Sequence, residues 1–387
     1  MNTFCYRSIL AIALLVSPSV VTAEAPKVGI EANTSFWWII DEEVENGLLQ
    51  AGSMDDAADR ASGFNFKQGR IAFSFESPRG TVEALIRIRL EERTDIIDFW
   101  GAFHAAPWLN ISIGQMKIPS TAEVLTEDHR LDFISRTTFG QNVSDYSLSR
   151  TPYISSIMAV KSYDRDLGMA LKGNYPNAEA PFLGYFLMVA NGIGANKYIG
   201  GRESKEFLFT NTFGDFYYGL RLELTPIHRI TVGTHYSVNK HDDVALDERG
   251  PVFDLDRNVW TADVRAELPW GQRIIGFYGN GEMDDFWEAQ RYRFDFDGWG
   301  LWTIQPLLTN RIELGLRFDT ATTEFNRDGN ETTQKNWTVG VNYCPETYLR
   351  LQLNYVMKET VNDFEPDIDD DIIFLNAQFL FDAPLVE

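Results

Sequence analysis

The sequence is short of cysteine, of basic residues and of long apolar runs. Of its 387 residues only Cys5 and Cys344 are cysteines, which excludes a disulfide framework, a cysteine-based zinc site and a c-type haem attachment. Past the N-terminal segment, no run approaches the roughly 18 consecutive apolar residues of a transmembrane helix. Lys and Arg number 34 against 56 Asp and Glu, a formal charge of −22. Phosphate backbones are held by an excess of basic side chains, so a nucleic-acid partner is excluded. The five histidines, His104, His129, His228, His235 and His241, are scattered and form no Ser/His arrangement, so no catalytic residue is expected. Neither a metal nor a cofactor is called for. Cys344, beside Pro345, reads as an inert thiol.

Aromatic residues, by contrast, reach 13%, with 27 Phe, 15 Tyr and 10 Trp, although the mean hydropathy is slightly negative. Residues 1–23 read as an address: Arg7 gives a positive start, Ile9 to Val16 an apolar stretch and Val21-Thr22-Ala23 a cleavage site. Cleavage is expected after Ala23, ahead of Ala25. The mature chain, 24–387, would then be exported with a charge of −23, since only Arg7 is lost.

From Lys27 onward the hydrophobic period is two. Apolar residues take alternate places in Arg70 to Glu76, and Ile86, Ile88 and Leu90 alternate with Arg87, Arg89 and Glu91. Leu220, Leu222 and Leu224 alternate with Arg221 and Glu223, Ile312 to Phe318 with Glu313 to Asp319, and Leu349 to Tyr355 with Arg350 to Asn354. Segments of about ten residues, apolar on one face and charged on the other, suit lipid outside and water inside. The fold expected is all-β, a transmembrane antiparallel barrel of about 16 strands. These fall near 27–40, 63–77, 81–92, 96–105, 108–118, 165–174, 182–191, 214–225, 229–239, 257–268, 272–281, 298–305, 310–321, 334–344, 347–359 and 372–381. The segment 298–305 and the stretch 207–213 are the least distinct, which leaves 14 or 18 strands open.

Seven short connections carry proline: Pro78, Pro107, Pro176 with Pro181, Pro226, Pro269, Pro306 and Pro345. The other eight connections, 41–62, 92–95, 119–164, 192–213, 240–256, 282–297, 322–333 and 360–371, are mostly longer, and 41–62, 240–256, 282–297 and 360–371 hold 25 acids against 5 bases. Short turns on one rim and long loops on the other describe a bacterial outer-membrane barrel with both termini in the periplasm. The acidic loops read as a solvated rim or as a divalent-cation belt toward lipopolysaccharide, with Asp367, Asp369, Asp370 and Asp371 as loose ligands. Phe36, Trp37, Trp38, Trp100, Trp108, Trp270 and Trp337 read as interface girdles.

Residues 119–164 form a long connection after the fifth strand, and connections of this length usually carry function. Ser120-Thr121-Ala122-Glu123 fits a capping box, so a short helix is expected there. The lumen of a sixteen-stranded barrel is too wide for wall side chains to close, and a third extracellular loop folded into it would narrow it. The filter is expected from Glu123, Asp128, Arg130, Asp132 and Arg136 on the loop, facing Lys117, Arg87 and Arg89. Wall charges should point inward: Arg70, Arg221, Arg317 and Arg350 with Glu76, Glu83, Glu91, Glu223, Glu313 and Asp319.

The chain also resembles a known family. Gly114-Gln115-Met116-Lys117-Ile118-Pro119, Glu123-Val124-Leu125-Thr126 and Asp132-Phe133-Ile134-Ser135-Arg136 look like the head of the third loop in the porin O and P family. Arg165 to Met169 with Gly173, Val189 to Gly192, Leu224-Thr225-Pro226, Val339 to Tyr343, Arg350-Leu351 with Asn354 to Val356, and Gln378 to Phe381 follow in order. The resemblance implies a trimeric porin of sixteen strands, permeable to small hydrophilic solutes or ions, with its third loop inside the channel. Phosphate-selective members line that channel with a ladder of Arg and Lys. Here Lys117 remains, but carboxylates accompany most of the arginines, and phosphate selectivity is not expected. The last strand ends at Phe381, followed by six residues. The competing reading is a structural barrel that anchors the envelope or sheaths a partner protein.

Overall fold

The computed structural model describes residues 26–41, 63–90, 94–146, 164–176, 181–192, 216–245, 252–287, 290–307, 311–325, 330–362 and 365–386. The expected leader 1–23, loop 41–62 apart from Asp41, the stretch 207–213 and Glu91, expected to face inward, lie outside these residues.

Sixteen strands form one closed antiparallel barrel in which each pairs with its sequence neighbours and β1 pairs with β16. They are β1 (Lys27–Asp41), β2 (Gly63–Glu76), β3 (Val82–Arg89), β4 (Asp95–Ala106), β5 (Leu109–Lys117), β6 (Arg165–Tyr175), β7 (Leu183–Ala190) and β8 (Tyr217–Ile227). There follow β9 (Ile230–Ala245), β10 (Val252–Glu267), β11 (Arg273–Trp287), β12 (Gln290–Leu307), β13 (Ile312–Phe325), β14 (Asn330–Glu346), β15 (Leu349–Asn362) and β16 (Glu365–Val386). The alternation has its expected meaning. Leu220, Leu222, Leu224, Leu314, Leu316, Leu351 and Leu353 are exposed on the outside, while Arg221 and Arg317, their neighbours along the same strands, are buried inside.

Several expectations need correction. The connections 240–256, 282–297, 322–333 and 360–371 are not long loops: β9 to β16 continue into them and leave gaps of only two to six residues, as at 288–289 and 246–251. Beyond the membrane both faces of a strand are wet, so pairing persists without apolar alternation, and the acids sit on strand extensions. The faint segment 298–305 is the middle of an 18-residue strand. Pro226 and Pro345 lie within strand ends where the register shifts, between Leu224 and Ile227 and between Tyr343 and Glu346; an irregular pair spares the missing N–H. The last strand does not stop at Phe381, because Asp382, Ala383, Pro384 and Val386 go on pairing with β1. Trp37 and Trp100 point inward and are not girdle residues: Trp37 stacks on Phe374 at 5.6 Å, and Trp100 packs on an interior cluster holding Met116, Met188 and Tyr217. Phe36, Trp38, Trp108, Trp270 and Trp337 are exposed, as a girdle requires.

The barrel contains a second core, built between its wall and the segment after β5. That segment holds α1 (Ala122–Leu125), a 3-10 turn (Asp128–Arg130) and α2 (Thr138–Tyr146). The cap of α1 is Thr121, whose side chain accepts from Val124 N at 3.2 Å. Ser120 is thus not the cap, and no capping box forms, because Glu123 bonds elsewhere. Phe133 and Phe139 pack with Val259, Phe277, Phe296, Trp302 and Ile304 from the wall. Glycines facing each other across strand pairs make room for both rings. A Cβ on Gly279 or Gly298, partners on β11 and β12, would lie 2.6 or 2.7 Å from Phe139. A Cβ on Gly315 or Gly340, partners on β13 and β14, would lie 2.9 or 3.1 Å from Phe133.

Filling such a socket should dislodge the loop and leave the barrel closed. Gly298→Val should cost about 1–3 kcal/mol by overpacking. The check is a lower midpoint for heat-induced loss of the compact electrophoretic form, with Gly101→Ala, where an added Cβ meets nothing closer than 3.8 Å, as the unaffected control.

Candidate constriction site

Residues 118–164 join β5 to β6, yet their described part bonds to inward-facing side chains around most of the wall. Ser120 O accepts from Arg221 on β8 at 2.8 Å, and Ala122 N donates to Asp263 on β10 at 3.3 Å. Asp132 meets Arg273 on β11 at 2.7 Å and Trp302 Nε1 on β12 at 3.3 Å. Ser135 O accepts from Arg317 and Thr138 N donates to Asp319, both on β13, at 2.8 and 3.0 Å. Asn336 on β14 donates to Thr138 Oγ1 at 2.8 Å, and on β15 Arg350 donates to Leu131 O at 2.8 Å while Asn354 Oδ1 accepts from Ile134 N at 2.7 Å. A segment rooted at β5 and β6 reaches partners on β13 to β15 by crossing the lumen.

Its near end is held by a dense ionic knot. Glu127 lies 2.8 Å from Arg87, 3.5 Å from Arg165, 3.7 Å from Arg70 and 3.9 Å from Lys117. Asp128 pairs with Arg70 and Arg136, each at 2.6 Å. Asp98 closes the knot against Arg87 at 2.9 Å and Arg165 at 2.7 Å. Lys117 Nζ also donates to the carbonyls of Val124 and Thr126, both at 2.9 Å, and so fastens the C-terminal end of α1. Burial would raise the pKa of Glu127, but Lys117, Arg165, Arg87 and Arg70 together hold it at about 2. Burial likewise opposes ionisation of Asp128, and Arg136 and Arg70 drive its pKa well below the usual range. Glu123 is pushed the other way by burial, against Arg317 and the bonds from Thr137 N at 3.0 Å and Thr137 Oγ1 at 2.6 Å.

The expected filter residues thus separate. Lys117, Asp128, Arg136 and Arg87 come together in the knot, Glu123 is folded back onto Thr137, and Arg89 stands apart, paired with Asp95 at 2.6 Å. Arg130 and Asp132 line a cavity of about 370 Å³ between the loop and β9 to β13. Arg229, Arg265, Arg273 and Arg317 line it too, and its other carboxylates are Glu123 and Glu267. Partners not expected from the sequence are Glu127, Asp98, Arg70 and Arg165 in the knot and Arg265 and Arg273 in the cavity. The run Glu127-Asp128 between two fixed turns was the available signal. His235 faces inward and is buried, and His228 is exposed in the β8–β9 turn. Among the described residues no group of three or more His, Cys, Asp and Glu is placed to hold a metal ion.

A closed sixteen-stranded antiparallel barrel with an inward-folded third loop is the architecture of outer-membrane porins. Residues 311–381, which span β13 to β15 and most of β16, match the family model described as phosphate-selective porin O and P. No curated protein matches the chain in sequence. The fold is similar to that of OmpT, an outer membrane protein of Vibrio cholerae solved in a trimer form, with TM-score 0.61, 10% identity and coverage of 92% of this chain and 100% of that one. It is also similar to the outer membrane channel DcaP of Acinetobacter baumannii, with TM-score 0.59, 11% identity and coverage of 92% and 97%. The anion-selective porin from Comamonas acidovorans gives TM-score 0.57, 9% identity and coverage of 92% and 99%. At these identities the likeness is one of fold.

The knot makes a pH prediction. A carboxylate whose pKa falls on anchoring supports the anchored loop above its free value, 4.5 for Glu127, and loses that support as pH drops through about 2. Burial lowers the pKa of His129 in the same segment. Protease cleavage within 118–146 should therefore rise once as pH falls below 6.5, an increase that His129→Gln removes, and again in stronger acid where Glu127 is protonated. Glu127→Gln with Asp128→Asn should expose the same sites at pH 7, because stripping partners from a buried pair costs about 3–5 kcal/mol.

Proposed function

We propose that the chain is a porin of the bacterial outer membrane through which small hydrophilic solutes or ions diffuse passively. The observation that carries this reading is the loop crossing the lumen of a closed barrel, fastened to the wall on both sides. Selection then rests on size and on an electrostatic filter, with no chemical step. In the filter, Arg130 and Asp132 meet the solute; Lys117, Asp128, Arg136 and Arg87 fix the loop and so set the aperture. Glu123 stiffens the turn behind it, and Arg89 contributes to the field on the outer side. Five arginines against three carboxylates around the cavity favour anions. Cleavage after Ala23 releases the mature chain, which assembles as a homotrimer with its outward side chains in lipid and its acidic rim among lipopolysaccharide. A sheath for a partner protein would need an open lumen, which the loop occupies.

Purified mature protein in a planar bilayer under a salt gradient should give stepwise conductance with a reversal potential of the sign set by anions. Arg130→Ala should lower the anion-to-cation permeability ratio by roughly two-fold. Absence of conductance would overturn the reading.

A further inference from the structure

The cavity beneath the loop combines charged walls with an apolar floor. Leu131, Phe133, Ile275 and Trp302 line it, and Phe133 and Trp302 belong to the packed cluster beneath Phe139, with Ile275 packed against it. The floor is therefore part of a rigid core. Guanidinium groups with unused donors stand beside it. Arg130 makes one side-chain bond, from Nε to His129 Nε2 at 3.2 Å, and has no carboxylate within pairing distance among the described residues. Arg265 gives Nη2 to Glu223 at 2.6 Å and its buried Nε lies 3.9 Å from Asp263 Oδ1, which leaves Nη1 as the donor without a bond. The acids nearby are paired with protein groups: Asp132 with Arg273 and Trp302, Glu123 with Thr137, and Glu267 more loosely with Arg229 at 3.8 Å. The cavity thus offers spare N–H donors and an apolar surface, but few free acceptors.

We propose that this cavity is a binding site on the permeation path for small organic anions that carry a carboxylate on an apolar body. The proposal rests on the channel reading above and adds a solute class to it. A carboxylate accepts from the planar fork of Arg130 or the Nη1 of Arg265 in charge-assisted bonds. The apolar body displaces water from Ile275, Trp302 and Phe133. Inorganic phosphate would set polar oxygens against a floor that offers them no donors beyond the indole N–H already given to Asp132. A volume of about 370 Å³ with apolar walls and a few polar groups is that of a small-molecule site.

Equilibrium dialysis of radiolabelled benzoate against the detergent-solubilised full-length protein reads the site without a current. Benzoate should be retained, and phosphate or acetate should displace it only at a concentration at least about ten-fold higher than unlabelled benzoate needs. Arg130→Gln with Arg265→Gln should weaken retention roughly ten-fold. Ile275→Asn should bring benzoate down to the level of acetate, and Arg79→Gln, on the exposed β2–β3 turn, should change nothing. Phosphate competing as well as benzoate, or retention insensitive to both the arginine pair and Ile275→Asn, would overturn the proposal. Protein that retains benzoate but passes no current would keep the site and refute the channel, whereas conducting protein that does not retain benzoate would refute the site alone.

Discussion

In hydrocarbon a backbone N–H has no water to turn to, so a sheet crossing a membrane must leave no edge. Here the constraint is met at the seam where β16 pairs with β1 from Val28 to Asp41. Closure with sixteen strands sets the rest of the structure. It sends alternate side chains to lipid and to the interior, and it leaves an interior too wide for wall side chains to fill. The loop after β5 answers that second consequence, and the wall is shaped to receive it.

Two kinds of contact dominate how the loop is held, one on each side of the barrel, with single polar anchors such as Asp132–Arg273 added on the far wall. Toward β2 to β6 the contact is ionic: Arg70, Arg87, Lys117 and Arg165 converge on Glu127 and Asp128. Buried charges are costly unless each is paired and hydrogen-bonded, and in this knot each carboxylate has at least two cations. Toward β10 to β14 the contact is a small hydrophobic core, with Phe133 and Phe139 seated on pairs of facing glycines. A charged face alone would let the loop slide among equivalent pairings. The glycine sockets admit one ring each and fix the register.

The strands were legible because lipid imposes a period of two, and each expected segment corresponds to a strand. Legibility failed where lipid no longer constrains the chain, so the outer ends of β9 to β16 read as loops. It failed again where a residue's role depends on a partner far along the chain. Trp37 and Trp100 resemble girdle residues in sequence, and only the register turns them inward. Arg87 and Arg89 look alike along β3, yet one meets the loop and the other meets Asp95 on β4. The glycines at 279, 298, 315 and 340 look like ordinary weak points of strands until two loop phenylalanines fall on them.

The acidity of the chain and the arginines of its lumen are compatible because they act over different distances. At physiological salt the screening length is about 8 Å. Arg265 at the cavity and Asp256, on the outer stretch of the same strand, are nine residues apart in β10, roughly 30 Å at the rise of a strand. The rim therefore governs what approaches the barrel from outside. What passes the loop is decided by the groups within a few ångströms of it, where Arg130 and Arg265 keep donors free and the neighbouring carboxylates do not. A net charge summed over the chain is for that reason a poor guide to the ion preference of the pore, and the local balance around Asp132 is the better one.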